Sequence, residues 1–140
     1  MDKDISIIIP VYNMGYIIND TLSGFASQTD KHFRIIVVDD GSTDDSAQVI
    51  REWQERKDMD IEYVYQNNKG VSVARNNGID HGVTPYVMFC DADDMMPNYA
   101  IELVRKLIPK CDIVAGLASR NVGKMNSRNY NYRESWGGKL

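Results

Sequence analysis

Cysteine is scarce in this chain. Only Cys90 and Cys111 occur, each inside an apolar run, with no Cys-x-x-Cys pair and no Cys/His cluster. That excludes a disulfide framework, argues against structural zinc, and leaves reduced, buried thiols in a cytosolic protein as the expectation. Long apolar runs are missing as well: nothing approaches the ~18 consecutive apolar residues of a membrane span. The opening Met1-Asp2-Lys3-Asp4 lacks the charged-then-apolar layout of a signal peptide. Basic charge is not in excess, with 16 Lys and Arg against 20 Asp and Glu. Broad nucleic-acid binding, which needs a basic face for phosphates, is therefore not expected.

Several catalytic signatures are also lacking. There is no Gly-x4-Gly-Lys-Ser/Thr phosphate loop, no Gly-x-Gly-x-x-Gly after the first apolar run, and no Gly-x-Ser-x-Gly elbow. A phospho-accepting receiver domain would need a lone Asp after the third strand and a Lys after the fifth. Gln66-Asn67-Asn68 and Gly116-Leu117-Ala118 stand there instead. A metal-dependent nucleotidyltransferase would want a Gly/Lys/Arg-rich phosphate grip after strand one, where Val11-Tyr12-Asn13 is found.

What is present suits one globular domain: 140 residues, 43% hydrophobic and 26% charged. A chain this long buries about 68–70% of its unfolded surface and needs no covalent or metal staple. Five short apolar runs rich in β-branched residues, at 5–10, 33–38, 61–65, 86–90 and 112–117, predict strands. Ile7-Ile8-Ile9 and Ile35-Ile36-Val37-Val38 do not alternate with polar residues, so both faces of these strands should be covered. Helical patterns fill 16–28, 46–57, 71–81 and 98–107. The second is clearest, with Ala47, Val49, Ile50 and Trp53 on one face and Ser42 or Thr43 placed to cap it. Strands alternating with helices predict an α/β fold, an open, doubly wound, mostly parallel sheet flanked by helices.

In such sheets ligands bind beyond the carboxyl ends of the strands. The segments there are Val11-Tyr12-Asn13, Asp39-Asp40-Gly41-Ser42, residues 66–70 and Asp91-Ala92-Asp93-Asp94, all polar. Acids and amides converging on one rim suit a sugar or nucleoside with a divalent cation. With 15 Asp in the chain, about 1.6 Asp-x-Asp triplets arise by chance, so the pattern alone decides nothing. Three occur, at Asp2, Asp58 and Asp91, and only Asp91-Ala92-Asp93 follows a buried strand at the rim. These acids could equally cap a helix or make a turn. His32 and His81 lie away from the rim and are read as structural. The segment 119–140 carries five basic side chains (Arg120, Lys124, Arg128, Arg133, Lys139) against Glu134, a net of +4 that leaves −8 on residues 1–118. Without a period, it is expected to be a loop or disordered tail.

Taken in order, four segments resemble the family 2 glycosyltransferases of the GT-A fold: Ser6-Ile7-Ile8-Ile9-Pro10-Val11-Tyr12-Asn13, Val37-Val38-Asp39-Asp40-Gly41-Ser42-Thr43-Asp44, Asn67 to Gly78 with Lys69, Gly70 and Arg75, and Val87-Met88-Phe89-Cys90-Asp91-Ala92-Asp93-Asp94. The resemblance covers residues 4–118 and implies a GT-A nucleotide-sugar-binding domain over 1–118. It also implies transfer from a nucleoside-diphosphate sugar, UDP first among the expected nucleotides, to a carbohydrate or lipid-linked acceptor, with inversion and in polysaccharide biosynthesis. By the same resemblance Pro10, Val11 and Tyr12 would line the base pocket and Asp39 would bind the base. Gly41 and Ser42 would allow close approach, and Arg75 and Ala92 would lie beside the nucleotide. Asp91 would face the ribose or a metal-bound water, and Asp93 would ligate Mg2+ or Mn2+. The family's acidic general base, on a later segment, has no counterpart: Glu134 is the only acid after Asp112, and Arg133-Glu134-Ser135 does not match. The donor half is thus expected here and the acceptor half is not. The alternative is a non-catalytic nucleotide-sugar-binding or protein-interaction module. The expected location is cytoplasmic or peripheral at the inner membrane face, and open strand edges make a homodimer a further expectation.

Overall fold

The computed structural model describes residues 3–110 and 112–114. Four parallel strands form one sheet: β1 (Ile5–Val11), β2 (Phe33–Asp39), β3 (Ile61–Tyr65) and β4 (Tyr86–Phe89), in the order β3-β2-β1-β4. Helices α1 (Gly15–Ala26), α2 (Ser46–Arg56), α3 (Val71–His81) and α4 (Ala100–Leu107) connect and follow them, and a short 3-10 helix, Ile108–Lys110, continues from α4.

The uninterrupted isoleucines of β1 follow from its central place. Ile5, Ile7, Ile9 and Val11 face a core built with Ile18, Leu22 and Phe25 of α1, Ile50 and Trp53 of α2 and Ile101 of α4. Ile8 faces the other way, with Ile36, Val38, Val64 and Ala74 of α3. Both faces are dry, which favours apolar residues throughout the strand; the one buried hydroxyl, Ser6, accepts from the Thr84 hydroxyl at 2.7 Å. At Gly78 a Cβ would lie 2.4 Å from the Ile8 side chain, and α3 can press this closely onto β1 only because the position has no side chain.

Side chains, rather than helix propensity alone, fix α4. Arg105 donates to both carboxylate oxygens of Asp4, at 2.8 and 2.7 Å, to Asp30 and to the His32 carbonyl. Buried Gln28 donates to the Pro97 carbonyl at 2.8 Å and accepts from the Ile101 amide at 3.1 Å. Both histidines hydrogen-bond to carboxylates away from the rim, His32 to Asp30 and His81 to Glu62.

The element boundaries differ from expectation by a few residues. Helix α2 stops at Arg56 because Lys57 turns left-handed, at φ 57°. Its expected cap by Ser42 or Thr43 is not made: the helix starts at Ser46 as expected, but Asp45 holds the N-cap position, and those two residues bond to Asn13 instead. Of the expected strand over 112–117, Asp112, Ile113 and Val114 are exposed and not in a strand; the rest of it lies outside the described residues, as do Cys111 and the segment 119–140. Strand β4 is consequently an edge among the described residues, with Tyr86, Val87 and Phe89 partly exposed.

Candidate active site at the carboxyl rim of the sheet

Parallel pairing sets Val11 opposite Asp39 and Ile8 opposite Phe89, so the loops after β1, β2 and β4 emerge side by side. They enclose a cleft of about 520 Å³ lined by Pro10, Val11, Tyr12 and Met14, by Asp40, by Asn68, Gly70, Val71 and Arg75, and by Asp91, Ala92 and Asp93. A hollow of like volume at the amino end of the strands, between Lys3, Lys31, Lys57 and Asp60, gathers none of the rim segments.

The two acids at the end of β2 part company. Asp39, 1% exposed, accepts from the Ser42 amide at 2.8 Å and from the Tyr63 hydroxyl at 2.7 Å. Burial first, then the hydrogen bond and charge of Asp39, pushes the Tyr63 phenol well above its ordinary value, so it remains a donor. Asp40, 4% exposed, stands in the cleft wall and accepts from Gln66 at 2.8 Å, the Lys69 amide at 2.7 Å and the Gly70 amide at 3.0 Å. Burial disfavours its charge, but these three donors outweigh burial and hold its carboxyl below the usual range. Of the two acids, Asp40 lines the cleft, while the Asp39 carboxylate faces Ser42 and Tyr63 and does not. Gly41 and Ser42 do not line it either. Gly41 adopts φ +78°, and a Cβ there would meet the Asn68 amide at 2.9 Å, so its freedom serves the turn and its close approach to the β3–α3 loop. The Ser42 hydroxyl accepts from the Asn13 amide.

The strand alternation carried the missing signal. Ile35, Val37 and Asp39 share one face of β2, toward α1 and α2, and the next residue emerges opposite them. Met14, Asn68, Gly70 and Val71 also line the cleft, and none of them is among the site residues expected from the sequence.

The acidic turn after β4 is held from below. Ala92 is buried, and its carbonyl accepts from the Thr21 hydroxyl of α1, leaving Asp91 and Asp93 exposed on either side. The Arg75 guanidinium donates to Asp91 at 2.7 Å, while the buried Arg75 Nε has no hydrogen-bond partner among the described residues. Neighbouring Cys90 is chemically quiet: burial, then the charges of Asp94, Asp91 and Asp93, push its thiol up to about 12. Among the described residues no three potential metal ligands come together. Two carboxylates on one cleft are hard oxygen donors that suit Mg2+ or Mn2+ only where a ligand's oxygens and water complete the shell. The arrangement fits a cation shared with a phosphate-bearing ligand and does not form a protein-only cage.

The family model for glycosyl transferase family 2 matches residues 6–139. The chain belongs to that family. Glycosyltransferase GlyA of Streptococcus pneumoniae serotype 4 is 38% identical over 118 residues, a match covering 83% of this chain and 17% of that protein. Glycosyltransferase GlyG of the same strain is 31% identical over 140 residues, covering 98% and 42%. Among solved structures, S. aureus TarS 1-349 in complex with UDP-GlcNAc superposes with a TM-score of 0.71 at 27% identity, over 79% of this chain and 32% of that one. The mannosyltransferase PcManGT from Pyrobaculum calidifontis, in complex with GDP-Man and Mn2+, gives 0.64 and 27%, over 69% and 29%. The chain spans less than half the length of each of these four proteins. In this family 2 chain the fold is that of the GT-A enzymes, and no helix among the described residues is long and apolar enough to cross a membrane.

Proposed function

We propose that this family 2 chain forms the donor-binding part of a glycosyltransferase, holding a nucleoside-diphosphate sugar in the rim cleft for transfer to a carbohydrate or lipid-linked acceptor. One observation carries the reading: the loops after β1, β2 and β4 and the helix after β3 bring an aromatic ring (Tyr12), a buried acid (Asp40), a guanidinium (Arg75) and two exposed carboxylates (Asp91 and Asp93) onto one cleft. The relatives crystallised with UDP-GlcNAc and with GDP-Man and Mn2+ support it.

In this reading Pro10, Val11 and Tyr12 pack on the base. Asp40 accepts from it or from the water beside it, held rigid by its three donors. Arg75 leaves Asp91 to meet the negatively charged donor, and Asp91 and Asp93 would hold Mg2+ or Mn2+. When bound, the cation would supply positive charge to the departing diphosphate. Among the described residues every acid of the cleft then has a task, and none is free to take the acceptor's proton. A general base contributes about 10²–10⁴-fold. This favours, as a second reading, a nucleotide-binding unit that transfers only with help from residues outside those described.

Calorimetric titration of UDP, with and without Mn2+, tests the proposal. The intact chain should bind more tightly with Mn2+, and Asp93→Ala should lose at least the Mn2+-dependent gain. Equal affinity in Asp93→Ala, or no binding of UDP or GDP, would refute it.

A further inference from the structure

The cleft's first wall is held by contacts that face away from it. Asn13 has a left-handed backbone, φ 52°, a conformation Asn tolerates better than most residues. Its amide donates to the Ser42 hydroxyl at 2.9 Å, and its Oδ1 accepts from the amides of Thr43 and Asp44 at 2.8 and 3.3 Å. The contacts run back in the other direction too. The Met14 amide donates to the Ser46 hydroxyl at 3.0 Å and the Gly15 amide to Asp44 Oδ2 at 2.9 Å. Asp44 Oδ1 meanwhile accepts from the Ser46 amide at 3.0 Å and its hydroxyl at 2.5 Å.

Neither α1 nor α2 has a side-chain cap from its own N-cap residue. The first amides of α1 are satisfied by Ser46 and Asp44, 32 and 29 residues on, while Asp44 takes the Ser46 amide that opens α2 and Asn13 takes the Thr43 and Asp44 amides just before it. Orphan amides at helix starts need partners, and here satisfying them also locks two loops together. Tyr12 and Met14, on either side of Asn13, line the cleft, and Asp40 lies on the loop that Asn13 grips.

We propose that Asn13 and Asp44 form a reciprocal clasp, with Asn13 the positioning residue that holds Tyr12 and Met14 at a fixed distance from Asp40 for nucleotide binding. The inference rests on the nucleotide reading of the cleft. A nucleotide bound between loosened walls must order them on arrival, and affinity falls by that cost.

The test compares Asn13→Gly, which keeps the left-handed backbone and removes the acceptor, with Asn13→Asp, which restores an acceptor oxygen. Titrated with UDP and Mn2+ below the unfolding temperature of every variant, Asn13→Gly should bind about tenfold more weakly, the equivalent of one net hydrogen bond. Asn13→Asp should return to within about threefold of wild type. Amide exchange at Thr43 and Asp44 should quicken in Asn13→Gly. Should that variant not fold, Ser42→Ala, which removes only the acceptor for the Asn13 amide, should weaken UDP binding in the same direction. Wild-type affinity in a folded Asn13→Gly, or no recovery in Asn13→Asp, would overturn the clasp while leaving the nucleotide site standing. Absence of UDP binding by the wild-type chain would overturn both, and unchanged exchange at Thr43 and Asp44 would overturn the clasp without reference to any ligand.

Discussion

Replacing Asp40 by Asn changes one atom and separates scaffold from charge. In the folded chain Oδ1 accepts from Gln66 and Lys69, and Oδ2 accepts from Gly70. An amide with its oxygen in the Oδ1 place keeps the first two bonds, now without a full charge, and turns an NH2 toward the Gly70 amide. A hydrogen bond to a charged group contributes about 1.5–3 kcal/mol and a neutral one about 1 kcal/mol. Losing one acceptor outright would cost near the upper end of that range, but Gly70 is exposed, and water can reach its amide. The expected loss is about 2–3 kcal/mol. In urea, with a slope of about 2 kcal/mol/M, the midpoint should fall by roughly 1 M.

The same variant has a signature in acid. The folded Asp40 carboxyl titrates below the ordinary value of 3.8, so between those two values the unfolded chain binds more protons than the folded one. Its contribution is therefore fully present above 3.8 and is lost as the pH falls toward the folded value. Asp30 and Asp44 are depressed likewise and add to the same acid limb: in each, burial opposes the charge, and Arg105 for Asp30 or Ser46 and the Gly15 amide for Asp44 outweigh it. Urea midpoints measured at intervals from neutral pH down through this window should fall less steeply in Asp40→Asn than in wild type. A variant within about 0.5 kcal/mol of wild type at neutral pH, or one with an unchanged acid limb, would refute the role given to these three bonds.

Two further outcomes follow from the packing and the chemistry beneath the rim. Gly78→Ala sets a Cβ 2.4 Å from the Ile8 side chain, at the centre of the sheet, and should destabilise the fold by about 1–3 kcal/mol; a thermal midpoint equal to wild type would show that α3 can lift off β1 without loss. Cys90, 2% exposed and with its thiol pushed up to about 12, should resist a thiol-specific reagent at pH 8 in a Cys111→Ser background and react at once in denaturant. Stoichiometric labelling of the native chain within minutes would contradict its burial.

The central strands were legible because burial on both faces leaves few polar choices, and a run such as Ile7-Ile8-Ile9 is what that constraint favours. Legibility fails where one residue's role depends on a partner far along the chain. Nothing local in Asp39-Asp40 says which acid faces the cleft. That depends on Tyr63, from the neighbouring strand, and on Lys69 and Gly70, from the loop after it. The cap expected of Ser42 or Thr43 failed for the same reason, since Asn13 competes for both residues from another loop. The run at 112–117 has strand composition, yet composition cannot show what a strand will pair with, and its described residues lie exposed.

These partners share a design that bears on affinity. The carboxylates of Asp39, Asp40 and Asp44 all accept backbone amides, and together with Asn13 they join the loops after β1, β2 and β3 before any ligand is present. Asp91 and Asp93, by contrast, are exposed, and among the described residues only Asp91 of the two is held by a side chain, that of Arg75. The cleft therefore has a rigid end, where ordering cost has been met during folding, and a responsive end, where charges are open to exchange partners. A planar base suits the first and a diphosphate with its cation suits the second. Substitutions at the rigid end should then change stability and nucleotide affinity together, whereas Asp93→Ala should change affinity in the presence of metal and leave the urea midpoint nearly where it was. A clear fall in the midpoint of Asp93→Ala would mean that this carboxylate too belongs to the scaffold, and the division between the two ends of the cleft would not hold.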